Sequence, residues 1–192
     1  MKNVSLVENL NVDVSLLQKK LIDNPQFFND YANRVEKLDS PHRESSDIWV
    51  RYGDYDKYGE EVFSCEHDSI WFPILKEIKE VLPIVFKIMN RVHGERLGGV
   101  LITKIEKGKK IYPHIDTVGW HPAYYDKFYV PILNKEGSIF GFEGDGDIQA
   151  KEGEVYWFRN DVSHWVNNDS DSDRIAMVVC VKPFREDLSN GK

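Results

Sequence analysis

An imidazole and a carboxylate stand two positions apart in Tyr112-Pro113-His114-Ile115-Asp116-Thr117, and a second imidazole follows in Ser163-His164-Trp165. Residues i and i+2 of an extended strand point to the same face, so His114 and Asp116 can grip one ion together. His164, closing the set from a distance, would put three ligands on one side of a metal and leave the opposite positions open. Imidazole plus carboxylate without thiolate suits ferrous iron better than a structural zinc site. Taken singly, each residue has a plainer reading. Asp116 can cap a turn after Pro113, His114 can be exposed, and His164 can be a hydrogen-bonded strand histidine.

Arg174 follows His164 by ten positions and opens the strand-like run Arg174-Ile175-Ala176-Met177-Val178-Val179-Cys180-Val181. Counting by twos places Arg174, Ala176 and Val178 on one face, and Ile175, Met177 and Val179 on the other. A guanidinium beside a small alanine is a good seat for a carboxylate. Pairing with Asp169, Asp171 or Asp173 of the adjacent loop is the alternative. With these four elements in this order, the chain resembles the 2-oxoglutarate- and Fe(II)-dependent oxygenases. The resemblance implies that His114, Asp116 and His164 bind iron and that Arg174 binds the far carboxylate of 2-oxoglutarate. It further implies a hydroxylation that consumes dioxygen and releases succinate and carbon dioxide. Within that superfamily the chain is similar to the aspartyl/asparaginyl β-hydroxylase branch over residues 47–183. The similarity includes Ile48-Trp49-Val50-Arg51 and the approach Gly153-Glu154-Val155-Tyr156-Trp157-Phe158 to His164. Two departures stand out. The branch carries an R-x-H pair that helps hold 2-oxoglutarate where this chain has Lys127-Phe128-Tyr129, and its best-known members lack the carboxylate ligand that Asp116 supplies. Lysine brings charge without a bidentate fork, and tyrosine brings one donor. Lys127 and Tyr129 are therefore candidates for the co-substrate site, with a rim lysine and a core tyrosine as the alternative.

The elements that must position these groups follow from the rest of the chain. At 192 residues the length suits one domain, and 41% hydrophobic residues suffice for a real core. A net charge of −7 disfavours a phosphate-tracking surface, so nucleic acid is not the expected partner. No apolar run is long enough to span a membrane. The first residues lack the apolar centre of a signal peptide, and Cys65 and Cys180 lie far apart without metal or redox spacing. These features predict a cytoplasmic protein with reduced thiols. The expected partners are a small-molecule or peptide substrate and dioxygen.

Helical spacing marks residues 14–22 (Val14, Leu17, Leu21) and again 26–38; Asp39-Ser40-Pro41-His42 reads as a break. Residues 47–52 alternate like a strand, with Trp49 and Arg51 on one face. They could be a sheet-surface tryptophan and a solvated arginine, or a substrate-pocket wall with Arg51 meeting an acidic group. A wide apolar stripe predicts helix over 71–92, broken or kinked at Pro83 and stopped near Gly94. Short strands follow at 99–105, the metal strand, 126–133, 138–142, 147–150, 154–158, 163–167 and 174–181, punctuated by glycines. Trp120, His121 and Tyr124, just past the ligands, are candidates for the pocket mouth, or else a surface loop. The assembly expected is mainly β with N-terminal helices: a double-stranded β-helix (jelly roll) buttressed by helices. Residues 1–45 would be an N-terminal helical extension packed on the core, 46–183 the oxygenase domain, and 184–192 a tail. A cupin-like protein that binds a small ligand without redox chemistry is the alternative function.

Overall fold

The computed structural model describes residues 2–28, 39–116 and 119–184. Eleven strands among them form two antiparallel sheets. The larger has the order β1-β9-β6-β11-β4-β2-β3, where β1 is Val4–Asn11, β2 Ser45–Gly53, β3 Ser69–Trp71, β4 Gly94–Ile105, β6 Asp126–Leu133, β9 Glu154–Phe158 and β11 Arg174–Pro183. The smaller, β5-β10-β7-β8, consists of Lys110–His114, His164–Asn168, Ser138–Phe142 and Gly146–Ile148. Side chains of both sheets line one cavity between them, and the helices α1 (Ser15–Asp23) and α3 (Val81–Arg91) pack against the larger sheet. The fold is a double-stranded β-helix buttressed by helices.

Period-two alternation decides what each face of the large sheet does. On β6, Phe128, Val130 and Ile132 turn into the core beneath the helices, while Lys127 and Tyr129 turn into the cavity. Strand β11 repeats this: Ile175, Met177, Val179 and Val181 join the same core, and Arg174, Ala176, Val178 and Cys180 face the cavity. The core face is wholly apolar because it must meet Leu17, Leu21, Ile84, Val85 and Ile88 of the two helices.

The helix expected over 71–92 is only half present. Trp71 ends β3, paired with Arg51, and residues Pro73–Lys76 form a single 3-10 turn before α3 begins at Val81. Pro73 explains the difference: the residue before a proline is pushed to extended geometry, and Phe72 sits at φ −82, ψ 159. Pro83 lies in the first turn of α3, where its missing N–H costs nothing, and Val81, Ile84, Val85 and Ile88 make the buried stripe. Phe86, on the same helix, is exposed.

The helical extension expected over residues 1–45 does not hold at its start: Val4–Asn11 is strand β1, which covers the edge strand β9 with Val4 opposite Phe158. Of the helix expected over 26–38, residues Pro25–Phe27 form a 3-10 turn and 29–38 fall outside the described residues.

Candidate metal centre

Strands β5 and β10 are neighbours in the small sheet, and their register sets His114 directly opposite His164. Opposed residues on adjacent strands share a face, so fifty positions of intervening chain are bridged by one pairing. The ring centroids lie 4.4 Å apart. Past the end of β5 the Asp116 N–H donates to Asn160 O at 2.8 Å, which holds the carboxylate against the two rings. His114 Nε2 is 3.6 Å from Asp116 Oδ1, and His164 Nε2 is 3.4 Å from Oδ2.

The other ring nitrogens fix the chemistry of these contacts. His114 Nδ1 donates to Tyr112 O at 2.8 Å and His164 Nδ1 donates to Val162 O at 2.9 Å. A carbonyl only accepts, so each Nδ1 carries a proton and each Nε2 is left to face Asp116. At His164 Nε2 lies 3.4 Å from a carboxylate oxygen, an approach that either a proton or a cation between them makes favourable. Two Nε2 donors and one carboxylate therefore fit a divalent ion, with both rings held from behind as metal-binding histidines are.

Two further groups bear on Asp116. Lys127 Nζ, from β6, lies 2.5 Å from Oδ2. Burial alone would raise the Asp116 pKa, but Lys127, His164 and His114 outweigh it and hold the carboxyl well below its usual range. His42 is the residue that sequence reading missed. It is buried, its ring packs edge-on against His114 at 4.6 Å, and His42, His114 and Asp116 offer ligand atoms that all lie within 4.8 Å of one another. Nothing in the break Ser40-Pro41-His42 announces this, because no spacing rule links it to β5.

Deeper in the cavity, Arg174 is buried and its Nη2 donates to Tyr129 Oη at 2.9 Å. Its Nε has no hydrogen-bond partner among the described residues, and none of Asp169, Asp171 and Asp173 forms an ion pair with it. Tyr129 stays a phenol, its pKa raised by burial against the opposing pull of Arg174, so its O–H can still donate. An open guanidinium edge beside a phenol donor is a seat for a carboxylate.

The cavity holds about 450 Å³, the size of a small-ligand site. Trp49 and Arg51 of β2 line its outer part with Tyr52, Phe63 and His121. His121 belongs to the short helix α4 (Trp120–Tyr124), following the four-residue α2 (Tyr55–Tyr58) and α3 in chain order. Its Nε2 accepts the Gly99 N–H at 3.1 Å, and burial, reinforced by Lys127 and His67, depresses its pKa to about 3. The ring is neutral. Gly98 permits this approach, since a Cβ there would stand 2.9 Å from the Tyr125 ring and 3.0 Å from His121 Nε2. Trp120 is not on the cavity wall; it stacks on Tyr124 at 4.6 Å, with Arg96 above both rings.

The model of the aspartyl/asparaginyl β-hydroxylase family matches residues 33–183, which takes in both sheets except β1 and every group described above. The chain belongs to the aspartyl/asparaginyl β-hydroxylase family. Solved structures agree on the fold of this family member. An oxidoreductase of the 2OG-Fe(II) oxygenase family from Burkholderia pseudomallei superposes with a TM-score of 0.54 at 12% identity, covering 72% of this chain and 67% of that one. The viral collagen prolyl hydroxylase of Paramecium Bursaria Chlorella virus-1, solved with 2OG, superposes at 0.53 with 13% identity over 95% and 97% of the two chains. No curated protein matches the chain by sequence at a significant level. Among the described residues no helix is long and apolar enough to cross a membrane.

Proposed function

We propose that this member of the family is a 2-oxoglutarate- and Fe(II)-dependent dioxygenase that hydroxylates a C–H bond of an amino acid or a peptide side chain. The observation that carries the reading is the pair of imidazoles, each tied through Nδ1 to its own backbone, whose Nε2 atoms converge on one ionised carboxylate. His114, Asp116 and His164 would hold the iron, and Arg174 with Tyr129 would hold the far carboxylate of 2-oxoglutarate. When bound, iron and co-substrate supply the oxidising chemistry: 2-oxoglutarate, dioxygen and R–H become succinate, carbon dioxide and R–OH.

The chain's own residues orient and enclose. Lys127, beside Asp116, helps hold its carboxyl in the ionised form that a metal ligand needs. Ile111, Phe140, Val166 and Ala176 wall the inner cavity with apolar surface and exclude water around the reacting groups. The pocket of Trp49, Tyr52 and His121 would present the substrate from the outer side.

Succinate release from 2-oxoglutarate, measured with Fe(II) and air across a panel of amino acids and peptides, tests the reading. Substrate-dependent succinate that disappears in His114→Ala is the expected result. Ligand binding that ignores iron chelation, with no succinate from any panel member, would instead mark a binding protein without redox chemistry.

A further inference from the structure

We infer that His121 is a specificity-determining residue: locked in the tautomer protonated on Nδ1, it donates one hydrogen bond into the cavity, to an uncharged carbonyl oxygen of the substrate. The inference rests on the dioxygenase reading in taking the cavity as the substrate site. The lock begins with a β-bulge. Val179 pairs with Val100 and Val181 with Leu97, so Gly98 and Gly99 together stand opposite Cys180. Neither glycine has a register partner on β2. A bulge releases backbone groups from the ladder, and the Gly99 N–H donates instead to His121 Nε2 at 3.1 Å. The approach needs glycine, because a Cβ on Gly99 would stand 3.2 Å from the Tyr52 ring and 3.4 Å from His121 Cε1.

A backbone N–H can only donate, so Nε2 is the bare nitrogen of the ring and Nδ1 the protonated one. An imidazolium would offer that N–H no acceptor, and burial opposes the charge as well. The Nδ1–H finds no acceptor among the described residues, although the side chain is only 4% exposed. His67 Nε2 and Tyr125 Oη, in the same cluster of rings, also lack partners but are sealed from solvent. His121 Nδ1 is not sealed, and the space that its ring borders is the cavity. A neutral donor of fixed direction is thus left for whatever fills that space.

The donor is also held in a set relation to the metal ligands. Asn160 O accepts the Asp116 N–H at 2.8 Å, and Asn160 Nδ2 donates to Pro122 O at 2.5 Å. One residue therefore ties the carboxylate ligand to the neighbour of His121. The ring itself is wedged between others, with its centroid 4.9 Å from Tyr52, 4.6 Å from Tyr125 and 5.9 Å from the stacked His67. Cys180, opposite the bulge, pairs on its other side with Lys127, the residue that touches Asp116. Two strand spacings, roughly 10 Å, separate the bulge from that lysine, a span for a small substrate. A fixed donor rejects a second donor or an apolar group, because either leaves a buried N–H unpaired. A ring without charge does not offset a buried ion, so the matching partner is an uncharged acceptor.

The test uses the full chain loaded with Zn(II) and 2-oxoglutarate, where binding is read without turnover. In protein carrying nitrogen-15-labelled histidine, the His121 signals are those lost in His121→Gln. Near neutral pH they should show a proton on Nδ1 and none on Nε2. N-acetyl-L-amino acid methylamides are then titrated by calorimetry, each beside the (E)-alkene isostere of its acetamide bond. The best amide should bind about 10-fold or more tighter than its alkene, which leaves the buried donor unpaired. His121→Phe should bring the two within about 3-fold of each other. His121→Gln, whose side chain both accepts and donates, should keep most of the gap. Circular dichroism and Zn(II) uptake check that the variants are folded. A proton on Nε2, equal binding of amide and alkene, a preference that survives His121→Phe, or no amide binding to protein that has taken up Zn(II) and 2-oxoglutarate would each overturn the inference. Failure to take up Zn(II) and 2-oxoglutarate would instead sink the dioxygenase reading, and the histidine spectrum with the amide-against-alkene comparison on the metal-free chain would still decide the role of His121.

Discussion

Lys127 Nζ and Asp116 Oδ2 form an ion pair at 2.5 Å, so the carboxylate that faces both imidazoles is also held by a cation from the opposite sheet. A divalent ion entering between His114 and His164 must share Asp116 with that ammonium. At a few ångströms the two cations repel by several kcal/mol even at an effective dielectric constant of about 20. Lys127→Met should therefore tighten Mn(II) binding by about tenfold or more, read by calorimetry. Unchanged or weaker binding would mean that Lys127 supports the ion seat rather than competing for it.

The two opposed histidines differ in kind from the third ring behind them. His114→Ala and His164→Ala each delete a donor and should weaken Co(II) binding by more than the roughly 10- to 100-fold typical of supporting residues. His42→Ala, which removes the ring braced edge-on against His114, should fall within that supporting range. A loss in His42→Ala as large as in His114→Ala, with His164→Ala close to wild type, would make His42 the third ligand.

Arg174 and Tyr129 act on the co-substrate as a pair. Arg174→Gln should raise the dissociation constant for 2-oxoglutarate by about 10- to 100-fold, the worth of a charge-assisted hydrogen bond. Tyr129→Phe should cost less, because the guanidinium survives and only the phenol contact is lost. Equal affinity in wild type and Arg174→Gln would remove Arg174 from the co-substrate site.

His121 couples the pocket to acid stability. Its folded pKa of about 3 lies below the ordinary value of 6.5, so between those limits the unfolded chain binds a proton that the folded chain refuses. Stability should accordingly fall as pH is lowered from about 6.5 toward 3, by up to about 1.4 kcal/mol per unit from this group. The groups around it are His67, Tyr52, Trp120, Tyr125 and the more distant Lys127. His67 is depressed in the same direction by burial and adds to the slope. His121→Gln keeps an acceptor for the Gly99 N–H and should flatten the dependence of the urea midpoint on pH. An equally steep decline in the variant would rule His121 out as its source.

Much of this protein is legible in one dimension because a strand has a period of two. Alternation alone separated Lys127 and Tyr129 from Phe128, Val130 and Ile132, and Arg174 and Ala176 from Ile175 and Met177, and the bounds of β6, β7 and β9 fall where the turn residues stop each run. Helical spacing in the same way found α1 and α3, but it overran Pro73, where a local steric rule outweighs apolar period. Strand β1 left no signal, since an edge strand with one solvated face needs few apolar residues.

What the linear chain left undecided was which side chains meet. His114 and Asp116 share a face by spacing, but only the β5–β10 register sets His164 opposite them. His42 reaches the same point from a turn that no periodicity marks. Lys127, legible as a cavity residue, finds its partner across the gap between two sheets in Asp116. Local sequence dictates the face a side chain takes, because backbone geometry repeats over two or four residues. The partner it finds is set by the closure of two sheets over one cavity, which only the whole chain can bring about.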